Sequence, residues 1–436
     1  MTAEIAILNK NGVALAADSA VTLKNPETQK VFNTANKLFM LSKYHPVGIM
    51  VYGSAELMGV PWETAIKMYR AELRRTNFDT LIEFANHFIK FMQENDLLFP
   101  PALQESDFAG MCHWVLSEVQ QKIDAKVKTI IETEGSIDDE GVRRVVTQIS
   151  EDEVVNWRQL RRLDCFPEAF EAELLAKYEE LLRRLIQDVF HNLPVDHARE
   201  KLLEICACRV TKEWWSLKSG GIVVAGFGKK DFLPVVHSYT VESIINNKLK
   251  CDRIPSLSND MGETRGASII PFAQAEIVYR FIRGIDPEYK GEITRLLRDL
   301  LTSDYPEKII RDIGDPATED QRQNVKAELI RIGQAIVESF NNEWEQWEHK
   351  KFISPVIDIV SDLPKDELAA MAESLVNLTS FKRRITAEAE TVGGAIDVAV
   401  ISKGDGFVWI KRKHYFDPNL NPGFFANYYR RDEDEP

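Results

Sequence analysis

Cysteine is scarce. Five thiols stand at Cys112, Cys165, Cys206, Cys208 and Cys251 in 436 residues. An odd, scattered set offers no disulfide framework and fits thiols kept reduced in a cytosol. Cys206-Ala207-Cys208 is the closest spacing. No second pair or histidine group completes a metal site around it, so two buried thiols are expected. The 8 histidines show no His-Glu-x-x-His pattern. No metal and no organic cofactor is implied. Long apolar runs are missing too, since none reaches the roughly 18 residues of a membrane span. The start, Met1-Thr2-Ala3-Glu4, lacks the positive region and apolar core of a secretory signal. A cytoplasmic chain with no membrane partner is the expectation.

Positive charge is in deficit, with a formal net charge of −14. That argues against non-specific nucleic-acid binding, which depends on neutralising phosphates. Lys382-Arg383-Arg384 and Lys411-Arg412-Lys413-His414 are local basic clusters, read as solvated surface. Gly226-Phe227-Gly228-Lys229-Lys230 lacks the later glycine and the Ser/Thr of a phosphate loop. Trp214-Trp215, and Trp344 with Trp347, are most simply packing residues.

What is present is an ordinary globular balance, 44% hydrophobic and 28% charged, which excludes a mostly disordered chain. The length suggests two or three domains, or one large domain with insertions. Residues 4 to 18 predict a hairpin, with Asn11-Gly12 as a turn pair able to take positive φ. The small alanines of Val13-Ala14-Leu15-Ala16-Ala17 suggest a strand buried on both faces, or one close to a site, ending at Asp18. A loop with a short strand follows over 19–36, then strands at 37–41 and 47–52, the latter ending at Gly53. Helical spacing covers 54–73 and 78–94, and most of 105–216. An acidic exposed loop is expected at 132–140 and one long amphipathic helix at 171–192. Strands return at 221–228 and 234–241. Residues 269–283 read as helix, and a helix opens at Pro364 with acids in its first turn. Residues 392–401 read as a strand, and Gly404-Asp405-Gly406 turns into another. Blocks of strands and blocks of helices favour α+β layers over a parallel βαβ fold.

Thr2 is the residue with chemistry of its own. Removal of Met1 would expose a hydroxyl and a free amine on adjacent carbons. The α-amino group has a reference pKa near 8, so it can serve as a base at neutral pH. The hydroxyl beside it is then a nucleophile with a built-in base. A plain N-terminus is the simpler reading of Met1-Thr2 taken alone.

The stretch that follows resembles the catalytic β-subunits of the proteasome and the related bacterial ring proteases. The resemblance rests on Thr2-Ala3-Glu4-Ile5-Ala6-Ile7-Leu8, the turn Lys10-Asn11-Gly12, and Val13-Ala14-Leu15-Ala16-Ala17-Asp18-Ser19. Lys37-Leu38 and Tyr52-Gly53-Ser54-Ala55-Glu56 continue it. Later, the strand to Gly226 and Val392-Gly393-Gly394-Ala395-Ile396-Asp397-Val398 fit more loosely. The likeness covers about half the chain.

It implies an N-terminal nucleophile hydrolase on a four-layer αββα sandwich. The sandwich would comprise 2–94, 217–285 and 351–428, with helical insertions at 95–216 and 286–350 and a charged tail at 429–436. Thr2 Oγ would attack a peptide or amide carbonyl, and the Thr2 amine would carry the proton. Lys37 would be the nearby cation, lowering the pKa of both. Asp18 would pair with Lys37. The Gly53 N–H would donate to the oxyanion. The resemblance further implies a peptide or protein substrate, a homo-oligomer, and service by a separate unfoldase.

Two departures stand out. The family's late Asp and Ser positions are Ala389 and Val392 here, with Glu388 and Glu390 beside the first. The family's other supporting Ser has no clear counterpart; Ser268 and Gln274 lie in that region and neither is assigned a role. Beyond Met1 no propeptide is expected. An amidase acting on a small amide, and a non-catalytic descendant that binds without cleaving, therefore stand as alternatives. A structural Asp18–Lys37 pair is the bland reading of that couple.

Overall fold

A computed structural model describes residues 3–25, 28–260, 266–312, 318–386 and 392–429. Thr2, Glu388, Ala389, Glu390 and the tail 430–436 lie outside the described residues. The chain is mixed α+β with antiparallel sheets. It divides into two compact units: Met1–Ala35, Phe232–Pro234 and Asp260–Pro436 form the first, Asn36–Asp231 and Val235–Asn259 the second.

In chain order the strands begin β1 (Ala3–Asn9), β2 (Gly12–Ala17), the ribbon β3 (Val21–Asn25) and β4 (Thr28–Phe32), β5 (Leu38–Met40) and β6 (Val47–Tyr52). The short pair β7 (Glu56–Leu57) and β8 (Val60–Pro61) comes next, then β9 (Gly220–Gly226), β10 (Val235–Ile245) and β11 (Lys248–Arg253). The last are β12 (Asn259–Asp260), β13 (Ser268–Ala273), β14 (Asp397–Ser402) and β15 (Gly406–Lys411).

In the first unit the sheet order is β13-β1-β2-β14-β15. Every residue of β1 and β2 is buried, and for β2 this fits its run of alanines. The helix Lys365–Ile385 packs on both strands. Ile5, Ile7, Ala14 and Ala16 meet Leu368, Ala372, Leu375 and Val376 in the core.

The hairpin turn is one residue earlier than the Asn-Gly pattern predicts. Asn9 pairs with Gly12, so Lys10-Asn11 is the turn, and Asn11 does not take positive φ. Side-chain hydrogen bonds override the preference. Asn9 Oδ1 accepts from Asn11 N at 2.8 Å, while Asn9 Nδ2 donates to Val360 O and Leu363 O, each at 2.8 Å. Asn11 Nδ2 also donates to Leu363 O at 2.9 Å. The turn thus caps the end of the helix Ser354–Asp362. Gly12 is needed for another reason: a Cβ there would lie 2.5 Å from Ile401 O of β14.

Two expectations fail in this unit. Residues 269–283 are not one helix. β13 pairs antiparallel with β1 before the helix Glu276–Arg283 begins. Ile269, Ile270 and Phe272 suit a strand, and Pro271 is tolerated because β13 is the sheet edge. Residues 392–401 are not strand throughout. Gly394, at φ +80°, breaks the extended chain, and β14 starts only at Asp397. Helices also cover Pro287–Asp312 and, past residue 350, Glu319–Asp362, where the π-helical turn His349–Ile353 joins the last two.

The second unit has the sheet order β11-β10-β9-β6-β5. Helices α1 (Trp62–Leu73) and α2 (Leu81–Glu94) share a core with this sheet, in which Trp62, Tyr69, Phe84 and Phe88 meet Ile49, Ile222 and Val224. A capping box between Thr80 and Glu83 starts α2. The helix expected over 54–73 begins only at Trp62, because Met58 and Gly59 turn between β7 and β8 with φ of +52° and +81°. A strand not foreseen, β11, follows β10 through Asn246-Asn247, both at positive φ. That is the pair of left-handed residues a two-residue hairpin needs.

Helices α3 (Pro101–Glu134), α4 (Asp139–Gln159), α5 (Phe170–Lys177), α6 (Glu179–Phe190) and α7 (Arg199–Thr211) build a separate core around Phe108, Leu116, Phe170 and Leu202. The acidic loop is shorter than predicted. Gly135 N bonds Ile131 O to close α3, and Asp138 caps α4 by accepting from Gly141 N at 2.7 Å. The long helix expected at 171–192 is two. The break falls at Tyr178, whose buried ring packs 4.8 Å from that of Phe108. Tertiary packing there outweighs unbroken helical spacing.

Candidate functional site

The expected site residues fall in both units. Asp18 belongs to the first, Lys37 and Gly53 to the second.

Asp18 follows β2 at the end of the sheet where β1 begins. There Ala3 faces Ala273, and Ala17 faces both Glu4 and Asp397. The Asp18 side chain is 1% exposed and accepts three backbone amides. Ala3 N donates to Oδ1 at 3.1 Å, while Gly393 N and Ala20 N donate to Oδ2 at 3.0 and 3.2 Å. In return Asp18 N donates to Ala3 O at 3.1 Å, and Ser19 N to Gly393 O at 3.1 Å. The Ser19 hydroxyl donates to Ala395 O. Asp18 therefore ties the start of β1 to the Gly393-Gly394 loop. The local reason is Gly394, where a Cβ would lie 2.8 Å from Asn33 Cβ and 3.2 Å from Ser19 Cβ.

Ser268 and Gln274 separate cleanly here. Ser268 pairs with Leu8, five residues along β1 from Ala3, or roughly 17 Å at strand rise. It is at the wrong end for any part in this cluster. Gln274 follows Ala273 at the right end, is 4% exposed, and accepts from Arg383 Nε at 2.7 Å. Ala273 itself is held at φ +61°, a conformation that costs a non-glycine residue about 1 kcal/mol or more. Val392 is fully buried in the apolar core.

In the second unit Lys37 and Gly53 come to one end of one sheet. Leu38 pairs with Met50, and Val51 N donates to Lys37 O at 2.9 Å. Antiparallel pairing thus brings the residue before β5 and the residue after β6 together. Lys37 is 4% exposed, whereas Gly53 is exposed. Gly53 has φ +80°, and a Cβ there would meet Ser219 O and Gly220 Cα at 3.1 Å. The same end carries Gly221, where a Cβ would fall 2.0 Å from the Tyr52 ring. Only glycines let the chain and the Tyr52 ring approach so closely.

A second polar centre was not visible in the sequence. Arg209 of α7, Glu242 of β10 and Lys250 of β11 are buried together in the second unit. Arg209 Nη1 donates to Glu242 Oε2 at 3.1 Å, and its Nη2 to Oε1 at 2.5 Å. Lys250 Nζ lies 3.0 Å from Glu242 Oε2 and donates to Arg209 O at 3.0 Å and Trp214 O at 2.6 Å. Burial works to raise the Glu242 pKa, but the Arg209 hydrogen bonds and the Lys250 charge outweigh it and bring it down to about 2. Burial and the Arg209 charge lower Lys250 to about 8, despite Glu242. The three residues lie on separate elements, so no spacing along the chain announces them. The group holds α7 to the sheet, and none of the expected site residues takes part in its hydrogen bonds.

Among the described residues no group of three or more His, Cys, Asp or Glu side chains is arranged to hold a metal ion. No described helix is long and apolar enough to cross a membrane. No family model matches the chain, and no curated protein matches it.

Proposed function

We propose that the protein is an N-terminal threonine hydrolase of the proteasome β-subunit kind, working on a four-layer αββα sandwich. After loss of Met1, Thr2 Oγ attacks a peptide or amide carbonyl and the Thr2 amine takes its proton. Lys37 supplies the cation that favours the ionised nucleophile. The Gly53 N–H donates to the oxyanion of the tetrahedral intermediate. An acyl-enzyme forms and water releases it. Peptides or proteins are the substrates, in a homo-oligomer fed by a separate unfoldase.

The observation that carries this reading is the Asp18 clamp. Asp18 Oδ1 accepts from Ala3 N while Asp18 N donates to Ala3 O. The residue next to Thr2 is thereby pinned on both sides in a buried setting, as a nucleophile placed by the main chain requires. The hairpin, the glycine-lined sheet end and the buried Lys37 support the same assignment. A second reading is favoured by Val392. An apolar, fully buried side chain there cannot relay a proton, which suits a non-catalytic binding protein.

Intact mass before and after a peptide epoxyketone separates the two. This probe needs both a Thr hydroxyl and a free amine. The expected result is loss of one Met and a single adduct on Thr2, absent in Thr2→Ala and formed at least about a hundredfold more slowly in Lys37→Ala. Retention of Met1 sinks the hydrolase reading.

A further inference from the structure

The helical region of the second unit carries a cavity of about 280 Å³ that the hydrolase reading does not use. Three indoles line it. Trp114 comes from α3, Trp157 from α4, and Trp214 from the segment after α7. The Trp114 and Trp214 ring centroids are 4.5 Å apart at 34°, and those of Trp157 and Trp214 are 6.1 Å apart at 54°. Trp114 is 42% exposed, so part of its ring is open to solvent.

The polar lining decides what the cavity takes. Trp114, Glu118 and Lys122 follow one another at four-residue steps, so α3 presents them along one face. Lys122 Nζ is engaged by Glu153 Oε1 of α4 at 2.7 Å. This pair is neutral in sum and holds α3 to α4 across the cavity wall. Glu118 is half-buried and has no partner among the described residues. The cavity thus offers π-faces and one uncompensated carboxylate. An anion is repelled by both. A neutral apolar guest would desolvate Glu118 with nothing in return. A cation with an apolar shell satisfies both features, since π-faces and carboxylate attract the same charge.

We propose that this cavity binds an alkylammonium cation, the ammonium seated against Trp114 and Trp214 and neutralised by Glu118. Arg209, whose guanidinium carbon stands 4.3 Å from the Trp214 ring centroid, is 2% exposed and does not line the cavity. It also stands 6.0 Å from the Trp114 ring centroid, so it holds both rings from the protein interior.

The test uses the full chain and choline as probe, read by tryptophan fluorescence and by indole N–H chemical shifts. The uncharged isostere 3,3-dimethylbutan-1-ol is the control. Choline should bind saturably with the indole signals of Trp114 and Trp214 shifting, and the alcohol should bind at least about tenfold more weakly. Trp114→Ala should abolish the shift. Glu118→Gln, an isosteric change at a half-buried position that preserves packing, should weaken binding about fivefold to tenfold. Equal binding of choline and the alcohol would reduce the site to an apolar hollow and overturn the proposal. So would choline binding unchanged in both variants, or no saturable shift at all. A peptide carrying trimethyllysine separates the sources. Tighter binding than choline assigns the cation to a protein side chain, and weaker binding assigns it to a free small molecule.

Discussion

In the first unit the buried carboxylate of Asp18 is held by the amides of Ala3, Ala20 and Gly393. In the second unit the buried carboxylate of Glu242 is held by the guanidinium of Arg209 and the ammonium of Lys250. The two solutions differ in what they add to the interior. Backbone amides are already part of the chain and must be satisfied in any case. They satisfy a buried carboxylate with groups that the fold has to place anyway. Cations bring their own desolvation, which the pairing only partly offsets. The first arrangement sets a backbone position next to Thr2. The second ties a helical layer to a sheet.

The comparison breaks most sharply at Glu242. Glu242→Ala leaves Arg209 and Lys250 buried without their counter-charge, and should lower the unfolding free energy by about 3–5 kcal/mol. The denaturant midpoint of the second unit measures it. Replacing all three members by apolar residues of similar volume should recover most of that loss.

Acid titration gives the next largest effect. The folded pKa of Glu242, about 2, lies below its ordinary value of 4.5. Its contribution is therefore complete above about pH 4.5 and is lost as pH falls through about 2. The loss is on the order of 3 kcal/mol. The wild type should lose this much more than Glu242→Ala over that window; parallel curves would refute the assignment.

The smallest effect belongs to Asp18→Asn, which keeps one acceptor oxygen and swaps the other for a donor. With the NH2 in place of Oδ2, the amides of Gly393 and Ala20 both lose their acceptor, at about 1 kcal/mol each. Hydrogen exchange at Gly393 should speed up about tenfold, with the second unit unaffected. An unchanged rate would mean that the Gly393 loop is held by other contacts.

Much of the frame around these centres was legible. The apolar runs and small alanines from Glu4 to Asp18 announced a buried hairpin, and helical spacing announced α2 with Leu81, Ala85, Phe88 and Met92 on one face, all four buried. What misled was local. Asn11-Gly12 has the composition of a left-handed turn, yet Asn9 and Asn11 are drawn to the carbonyls of Val360 and Leu363, some 350 residues away along the chain. Ile269 to Phe272 has no decisive periodicity, and only pairing with β1 makes it a strand. Asn246-Asn247 was a readable turn signal, and it marks a strand that the surrounding lysines disguised.

The candidate site divides the same way. Its residue types, and their positions at strand ends, were present in the sequence: Asp18 closing β2, Lys37 opening β5, Gly53 closing β6. The junction of Asp18 with Gly393 was not, because it joins residues 375 apart in the chain. The grouping of Arg209, Glu242 and Lys250, and the convergence of Trp114, Trp157 and Trp214 on one cavity, were equally hidden. Sequence by itself determined elements such as β1, β2 and α2, since hydrophobic period is written in neighbouring residues. Tertiary structure alone decided which charges and rings share a buried space. That depends on long-range packing, and a carboxylate or an indole carries no local mark of the partner it will meet.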